Sequence, residues 1–344
     1  MKKLKQNEFD VIIIGGGVAG ISCSYWLSKT DDMSIGLIDS KESVDWDISN
    51  EVSNLQVGSL KYLFDIYKRD GIQEALKSYL FMKDNLELVS NELKIFQFGS
   101  YVNLNTSGTF NKFPNLCEIN QFIAELDRYL DESESIEVLE SKDSLKFVHE
   151  GTYSLRKYFK EIGFKVKERV EALCGHTCIG LKKHDEGIIV VTNKGEFYAK
   201  KVIFSNGQSL PTLLPELIGK IQSKKTFLFE IDTSDIETDR SNFIDFSKKE
   251  SFYREKNKIF YSLENDEISL NDAKDLANNF CEKNFPQSTI NKSVETEVAF
   301  TKDFKPLIGQ SRINSNLFYL GGFSGQSKHY AFKMAHELVE KIKA

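Results

Sequence analysis

The order of apolar and polar positions predicts a strand, a helix and a second strand within the first forty residues. Residues 10–14 are an apolar, β-branched run suited to a strand buried on both faces. Three glycines (15–17) interrupt it, and residues 18–28 then carry Ile21, Tyr25 and Leu27 at near-helical spacing. Residues 34–38 form a second short apolar run, so the spacing suits a parallel β–α–β unit. Beyond it, 52–67 reads as a loop leading into a helix. Residues 71–89 read as a helix with Ile72, Ala75, Leu76, Tyr79 and Leu80 in step, 94–103 as strand or hairpin, and 120–130 as helix. The acidic stretch 131–143 reads as a solvated segment.

From Ser154 the pattern becomes strand-rich. A short helix over 154–162 precedes Gly163, followed by strand-like 164–166. Strands are expected at 188–192 and 196–198, split by a turn at 193–195, then at 201–205, 226–232, 258–263 and 317–320. Residues 269–285 form a helix opened by Ser-Leu-Asn-Asp, and 330–342 a closing helix. No internal repeat or low-complexity linker is visible.

Length and charge narrow the picture. A chain of 344 residues is too long for one small core, so two domains are expected. A net charge of −6 disfavours binding of nucleic acid through its phosphates. The lysines before residue 11 lead into only four apolar residues, and nothing approaches a membrane-spanning length, so a soluble cytoplasmic protein is expected. Five cysteines imply no disulfide framework. Cys174, His176 and Cys178 alternate, and the simplest reading is one face of a half-buried strand. No further ligands stand at metal-binding spacing, so no metal is expected. Nothing in the sequence sets an oligomeric state.

The candidate chemistry begins at GGGVAG, residues 15–20, which contains G-x-G-x-x-G between a strand and a helix. Gly15 permits the tight turn, Gly17 leaves room for a pyrophosphate, and Gly20 lets the helix pack on the sheet. Free N–H groups at the helix start, around Val18 and Ala19, favour phosphate charge. Asp39, nineteen residues beyond Gly20, is placed to accept hydrogen bonds from a ribose. This motif indicates a dinucleotide but does not separate FAD from NAD.

Three blocks carry a resemblance that does. They are DVIIIGGGVAGISCSYWLSK…IGLIDSKES, the middle GFKVKERVEAL…VVTNKGEFYAKKVIFSNGQSLPTLLP, and the C-terminal KPLIGQSRINSNLFYLGGFSGQSKHYAFKMAHELVEKI. In this order they resemble the D-amino acid oxidase superfamily of FAD-dependent oxidoreductases, which includes glycine and sarcosine oxidases and FAD-dependent glycerol-3-phosphate dehydrogenases. A weaker block, 47–63, is similar to the segment that runs along the flavin in the last group. The resemblance implies an α/β chain with a Rossmann-like FAD-binding domain (1–65, 146–215, 300–344). A discontinuous second domain, for substrate (66–145, 216–299), would be built on a mixed β-sheet with helices. It implies non-covalent FAD, contacted by Gly15, Gly17, Val18, Ala19, Gly20, Asp39, Ser40, Val170, Gly207, Gly322, Phe323, Ser324, Gly325 and Gln326.

The implied reaction moves a hydride from a C–H beside an amine of a small molecule to flavin N5, and oxygen or another acceptor reoxidises the flavin. Lys258 resembles the lysine that sarcosine oxidases place near N5, and Lys328 and His329 fall where those enzymes hold a substrate carboxylate. Tyr261 is a weaker pocket candidate. Two departures put an ordinary amino-acid substrate in question. Val298 stands where glycine oxidases carry a carboxylate-clamping arginine, with Arg240 and Arg254 as possible substitutes. Val57 stands in place of the glycerol-phosphate enzymes' histidine. A dehydrogenase of a hydroxy acid or polyol, or a non-catalytic flavin-binding accessory protein, are the competing readings.

Overall fold

The computed structural model describes residues 7–42, 60–95, 97–103, 116–130, 138–141, 144–152, 155–234, 242–245, 250–255 and 257–343. In chain order the elements are β1 (Glu8–Ile14), α1 (Val18–Ser28), β2 (Ile35–Asp39), α2 (Leu60–Asp70), α3 (Ile72–Leu93), β3 (Gln97–Asn103), α4 (Leu116–Asp127), β4 (Val138–Ser141), β5 (Ser144–Thr152) and α5 (Leu155–Val166). They continue with β6 (Val170–Cys174), β7 (Cys178–His184), β8 (Gly187–Thr192), β9 (Gly195–Phe204), α6 (Leu210–Leu213), β10 (Ile221–Thr233), β11 (Asn242–Asp245) and β12 (Glu250–Glu255). The last are β13 (Lys258–Glu264), α7 (Leu270–Asn284), β14 (Ser288–Thr301), β15 (Leu307–Gln310), β16 (Leu317–Gly321) and α8 (Ser327–Lys343). Contacts divide the chain into two units, 1–50 with 156–223 and 298–344, and 51–155 with 224–297. The sequence had suggested cuts near 65, 145, 215 and 299.

The first unit is built on a mixed sheet in the order β15-β16-β9-β1-β2-β6, with β8 added to β9 and β7 to β8. Strands β16, β9, β1, β2 and β6 run parallel. Ile12, Ile13 and Leu37 are fully buried, as parallel strands covered on both faces require. Helix α1 is buried from Ala19 to Leu27, so it shows no amphipathic stripe. Its far side meets α8, where Trp26 Nε1 donates to the Phe332 carbonyl at 2.9 Å and the two rings lie 5.0 Å apart. The hydroxyls of Ser22 and Tyr158 of α5 meet at 2.5 Å within this core.

Five local expectations change. Residues 164–166 are the last turn of α5, not strand; Tyr158, Phe159, Ile162 and Val166 are buried together on one face, which carries the helix across Gly163. Cys174 and Cys178 do not share a strand. They end β6 and open β7 around a turn in which Gly175 has φ +65. The acidic stretch contains β4, hydrogen-bonded to β5, because pairing overrides its polar composition. The two short strands expected at 196–198 and 201–205 are one, β9, whose first half pairs with antiparallel β8 and whose last residues pair with parallel β16. Helix α8 starts at Ser327, three residues earlier than expected. The readings of 47–59, including Val57, of Arg240, of residues 131–137 and 142–143, and of the Arg254 side chain lie outside what is described.

The second unit holds an antiparallel sheet in the order β11-β12-β13-β10-β14 and a smaller one, β3-β5-β4. Phe227, Phe229, Ile259 and Tyr261 on the larger sheet pack with Ala273, Ala277 and Phe280 of α7. That helix opens with a capping box: Asp272 N–H donates to Ser269 Oγ and Ser269 N–H to the Asp272 carboxylate. Tyr261 is thereby core, its ring stacked 4.5 Å from Phe280. Helix α3 buries Ala75, Tyr79, Met82, Leu86, Val89 and Leu93, a stripe of period three to four. No helix among the described residues is long and apolar enough to cross a membrane.

Candidate functional site

The carboxyl ends of β16, β9, β1 and β2 lie side by side in the first unit, and each leads into a candidate segment. These are the loop 321–326 after β16, Asn206 and Gly207 after β9, the glycine turn after β1, and Asp39 with Ser40 at the end of β2. Three strand spacings, about 14 Å, separate the outer two. The chain leaves β1 toward β2 on one side and finds β9 on the other, the switch point where open α/β sheets bind ligands.

The glycines of the turn have separable roles. Gly15, at φ +106, abuts β9 so closely that a Cβ would stand 2.9 Å from the backbone of Asn206. A Cβ on Gly20 would stand 1.8 Å from the Gly15 carbonyl oxygen and 2.7 Å from Ser205 Oγ. A Cβ on Gly17 would meet nothing within 4 Å among the described residues. Open space therefore lies at the mouth of α1 and close packing just behind it. Helix α1 has no side-chain cap and no acidic residue in its first turn. Its first internal bond runs from Ile21 N–H to the Gly17 carbonyl, so the N–H groups of Val18, Ala19 and Gly20 face forward without helix partners. Such a start, cradled by glycine, fits the pyrophosphate of a dinucleotide.

Asp39 accepts hydrogen bonds from Gly16 N–H (2.5 Å) and Lys41 N–H (2.9 Å), which fixes its carboxylate beside the turn. Ser40 is exposed next to it. Val170 is not here. It opens β6 opposite Ile35, whereas Asp39 stands opposite Cys174, so Val170 lies at the far end of this strand pair. The misplacement follows from reading 164–166 as strand. The residues that reach this corner are Gly175, whose N–H donates to the Lys41 carbonyl, and His176, whose N–H donates to the Asp39 carbonyl at 2.9 Å. Ser205 was also missed. Its hydroxyl lies 3.0 Å from the Ile14 carbonyl and 2.9 Å from that of Gly15, tying β9 to the turn. A serine ending an apolar strand before Asn-Gly was the available signal. Gly207 follows at φ +58 with open space around it.

The C-terminal loop turns three times through left-handed backbone, at Gly322 (φ +64), Ser324 (φ +51) and Gly325 (φ +80). Phe323 is buried, and Gln326 has a buried Oε1 without a hydrogen-bond partner. Helix α8 then carries Lys328 and His329 in its first turn, only 8% and 5% exposed. Burial pushes the Lys328 ammonium down to about 7. Burial, and then the Lys328 charge, push the His329 imidazole down to about 3. That keeps the ring neutral, and its Nδ1 is buried without a partner among the described residues, open to a polar ligand atom.

Lys258 belongs to the other unit. It opens β13, stands opposite Asp232 in register, and forms an ion pair with Glu230. Val298 lies on β14, half-buried.

Comparisons with known proteins agree with this architecture. The family model described as "FAD dependent oxidoreductase" (DAO) matches residues 10–341. A stretch of 35 residues is 58% identical to hydrogen cyanide synthase subunit HcnC of Pseudomonas protegens, covering 10% of this chain and 8% of that protein. L-amino acid deaminase from Proteus vulgaris superposes with a TM-score of 0.72 at 13% identity, over 99% of this chain and 91% of that one. L-proline dehydrogenase from P. horikoshii does so with 0.69 at 18% identity, over 98% and 94%. Glycine oxidase from Geobacillus kaustophilus gives 0.66 at 13% identity, over 98% and 95%. At these identities the likeness is one of fold.

Proposed function

Since the chain belongs to the FAD-dependent oxidoreductase (DAO) family, and so is an oxidoreductase whose cofactor is FAD, we propose that it oxidises a C–N bond of a small amine or amino-acid derivative. FAD supplies the hydride acceptor. The observation that carries the reading is the alignment of four ligand-ready segments along one sheet edge. In it, the start of α1 holds the pyrophosphate, Asp39 the ribose, and the 321–326 loop with the start of α8 the ring. Binding is non-covalent. The unit formed by 1–50, 156–223 and 298–344 is the FAD domain, and the remainder supplies the substrate side. The amine class is favoured by the neighbours, an amino acid deaminase, a proline dehydrogenase and a glycine oxidase by name.

His329, being neutral, serves as a hydrogen-bond partner and not as an anion clamp. Lys328 is the group an anionic substrate would recharge, because a nearby negative charge offsets the burial that lowers its proton affinity. This pair takes the place of the arginine absent at Val298.

The test is anaerobic mixing of the purified holoenzyme with a panel of amines and their hydroxy analogues, followed through the flavin absorbance band. Bleaching by amines alone is expected; bleaching by hydroxy acids or polyols alone would replace this reading with the alcohol-oxidising one. Lys258 is proposed to stabilise charge as oxygen is reduced. Lys258→Met should slow reoxidation of the reduced enzyme by oxygen severalfold, not by orders of magnitude, because Glu230 already offsets the charge. An unchanged rate would remove Lys258 from the reaction.

A further inference from the structure

We propose that Ser324 and Thr301 are a positioning pair that locks the 322–325 loop in the conformation that receives the flavin. The proposal rests on the reading that this loop seats the ring, and it gives Ser324 a role other than direct cofactor contact.

Ser324 is the one left-handed position of the loop that carries a side chain, where glycine would sit without strain. The side chain is buried, and so is Thr301 at the end of β14; each is 5% exposed. Ser324 N–H donates to the Ala299 carbonyl at 3.0 Å. Thr301 N–H donates to Ser324 Oγ at 3.1 Å. The two hydroxyl oxygens stand 3.3 Å apart, and Thr301 Oγ1 donates to the Lys305 carbonyl at 2.9 Å.

The Lys305 carbonyl can only accept, and that orders the contacts. A hydroxyl has one proton, and that of Thr301 goes to Lys305. Thr301 Oγ1 is then the acceptor toward Ser324, whose own proton goes to Thr301. The chain runs Ser324 O–H to Thr301 Oγ1, and Thr301 O–H to the Lys305 carbonyl. In this arrangement the Ser324 hydroxyl is turned to Thr301, and it acts through the loop. Thr301 also reaches the loop at a second point: a Cβ on Gly322 would stand 2.8 Å from its methyl group. One side chain thus meets two of the three left-handed positions, Gly322 and Ser324. Past the clamp, Gln326 N–H closes onto the Phe323 carbonyl at 2.8 Å, while the N–H groups of Gly325 and Ser327 have no partner among the described residues. Beside Gly325 a Cβ would meet nothing within 4 Å among the described residues.

The test compares Thr301→Val, Thr301→Ser, Ser324→Gly and Gly325→Val in the full-length protein, reading FAD dissociation, the flavin absorption envelope and visible circular dichroism. Thr301→Val keeps the shape and loses the hydroxyl; it should weaken FAD binding about tenfold and alter the flavin spectrum. Thr301→Ser should restore both. Ser324→Gly relieves the backbone yet loses the clamp, so it should behave like Thr301→Val, although a purely structural account expects it to be harmless. Wild-type affinity and spectrum in Thr301→Val and Ser324→Gly, with FAD lost in Gly325→Val, would overturn the clamp and leave the seat standing. Wild-type behaviour in all four would overturn the seat as well.

Discussion

Gly20→Ala should yield a protein that unfolds at markedly lower temperature and is purified without FAD. The added Cβ would lie 1.8 Å from the Gly15 carbonyl oxygen, inside any van der Waals limit, with Ser205 Oγ only 2.7 Å away. The backbone carbonyl cannot swing aside, because Gly15 is held on one side by its N–H bond to the Ile38 carbonyl and on the other by Ser205. Helix α1 would have to move outward, and its other face is packed against α8 through Trp26 and Phe332. Overpacking of a filled core costs about 1–3 kcal/mol, and a backbone clash belongs at or above the upper end. Thermal unfolding of the apoprotein and flavin content after purification give the two readings. Near-wild-type values in both would mean that α1 does not sit against β1 as described.

Gly17→Asp should do the reverse: FAD affinity falls by about a hundredfold or more, while the apoprotein is as stable as the wild type or slightly more so. Gly17 is the N-cap of α1, in extended backbone that aspartate adopts readily, with no side-chain cap present and nothing within 4 Å of a new Cβ. An aspartate there caps the helix better than glycine by a few tenths of a kcal/mol. The same carboxylate would fill and charge the space assigned to the pyrophosphate. Two like charges about 4 Å apart repel by ~4 kcal/mol where the effective dielectric is near 20, which is a loss of several hundredfold or more. Isothermal titration with FAD, paired with apoprotein melting, separates the effects. Unchanged affinity would move the pyrophosphate away from α1.

This contrast shows what was legible in the chain. G-x-G-x-x-G already assigns Gly17 to open space and Gly20 to close packing; the packed structure adds how tight the second is, with a Cβ on Gly20 only 1.8 Å from the Gly15 carbonyl oxygen. The β1-α1-β2 unit could be read because both strands are apolar throughout, which needs no tertiary knowledge. The start of α8 could not. Lys328 and His329 are buried polar residues, so they gave no apolar signal although they lie in its first turn. Val170 was misassigned for a related reason: Gly163 looked like a helix end, and the buried stripe that sustains α5 through it depends on partners such as Ser22, far away in sequence. Thr301 and Ser324 were unreadable as a pair, because their bond spans 23 residues and both look like ordinary loop or strand polar residues.

The placement of β9 beside β1 also governs how this protein is made. The bond from Ser205 to Ile14 joins residues 191 apart, and that from Trp26 to Phe332 joins residues 306 apart. At a synthesis rate of about 5–20 residues per second, some 10–40 s pass between the emergence of β1 and that of its neighbour β9. During that interval an apolar strand waits with one edge unpaired, the kind of edge that recruits other chains. The helix that covers α1 is the last of the described elements. Premature termination anywhere before α8 would therefore leave the face of α1 that carries Trp26 without the partner that Phe332 supplies.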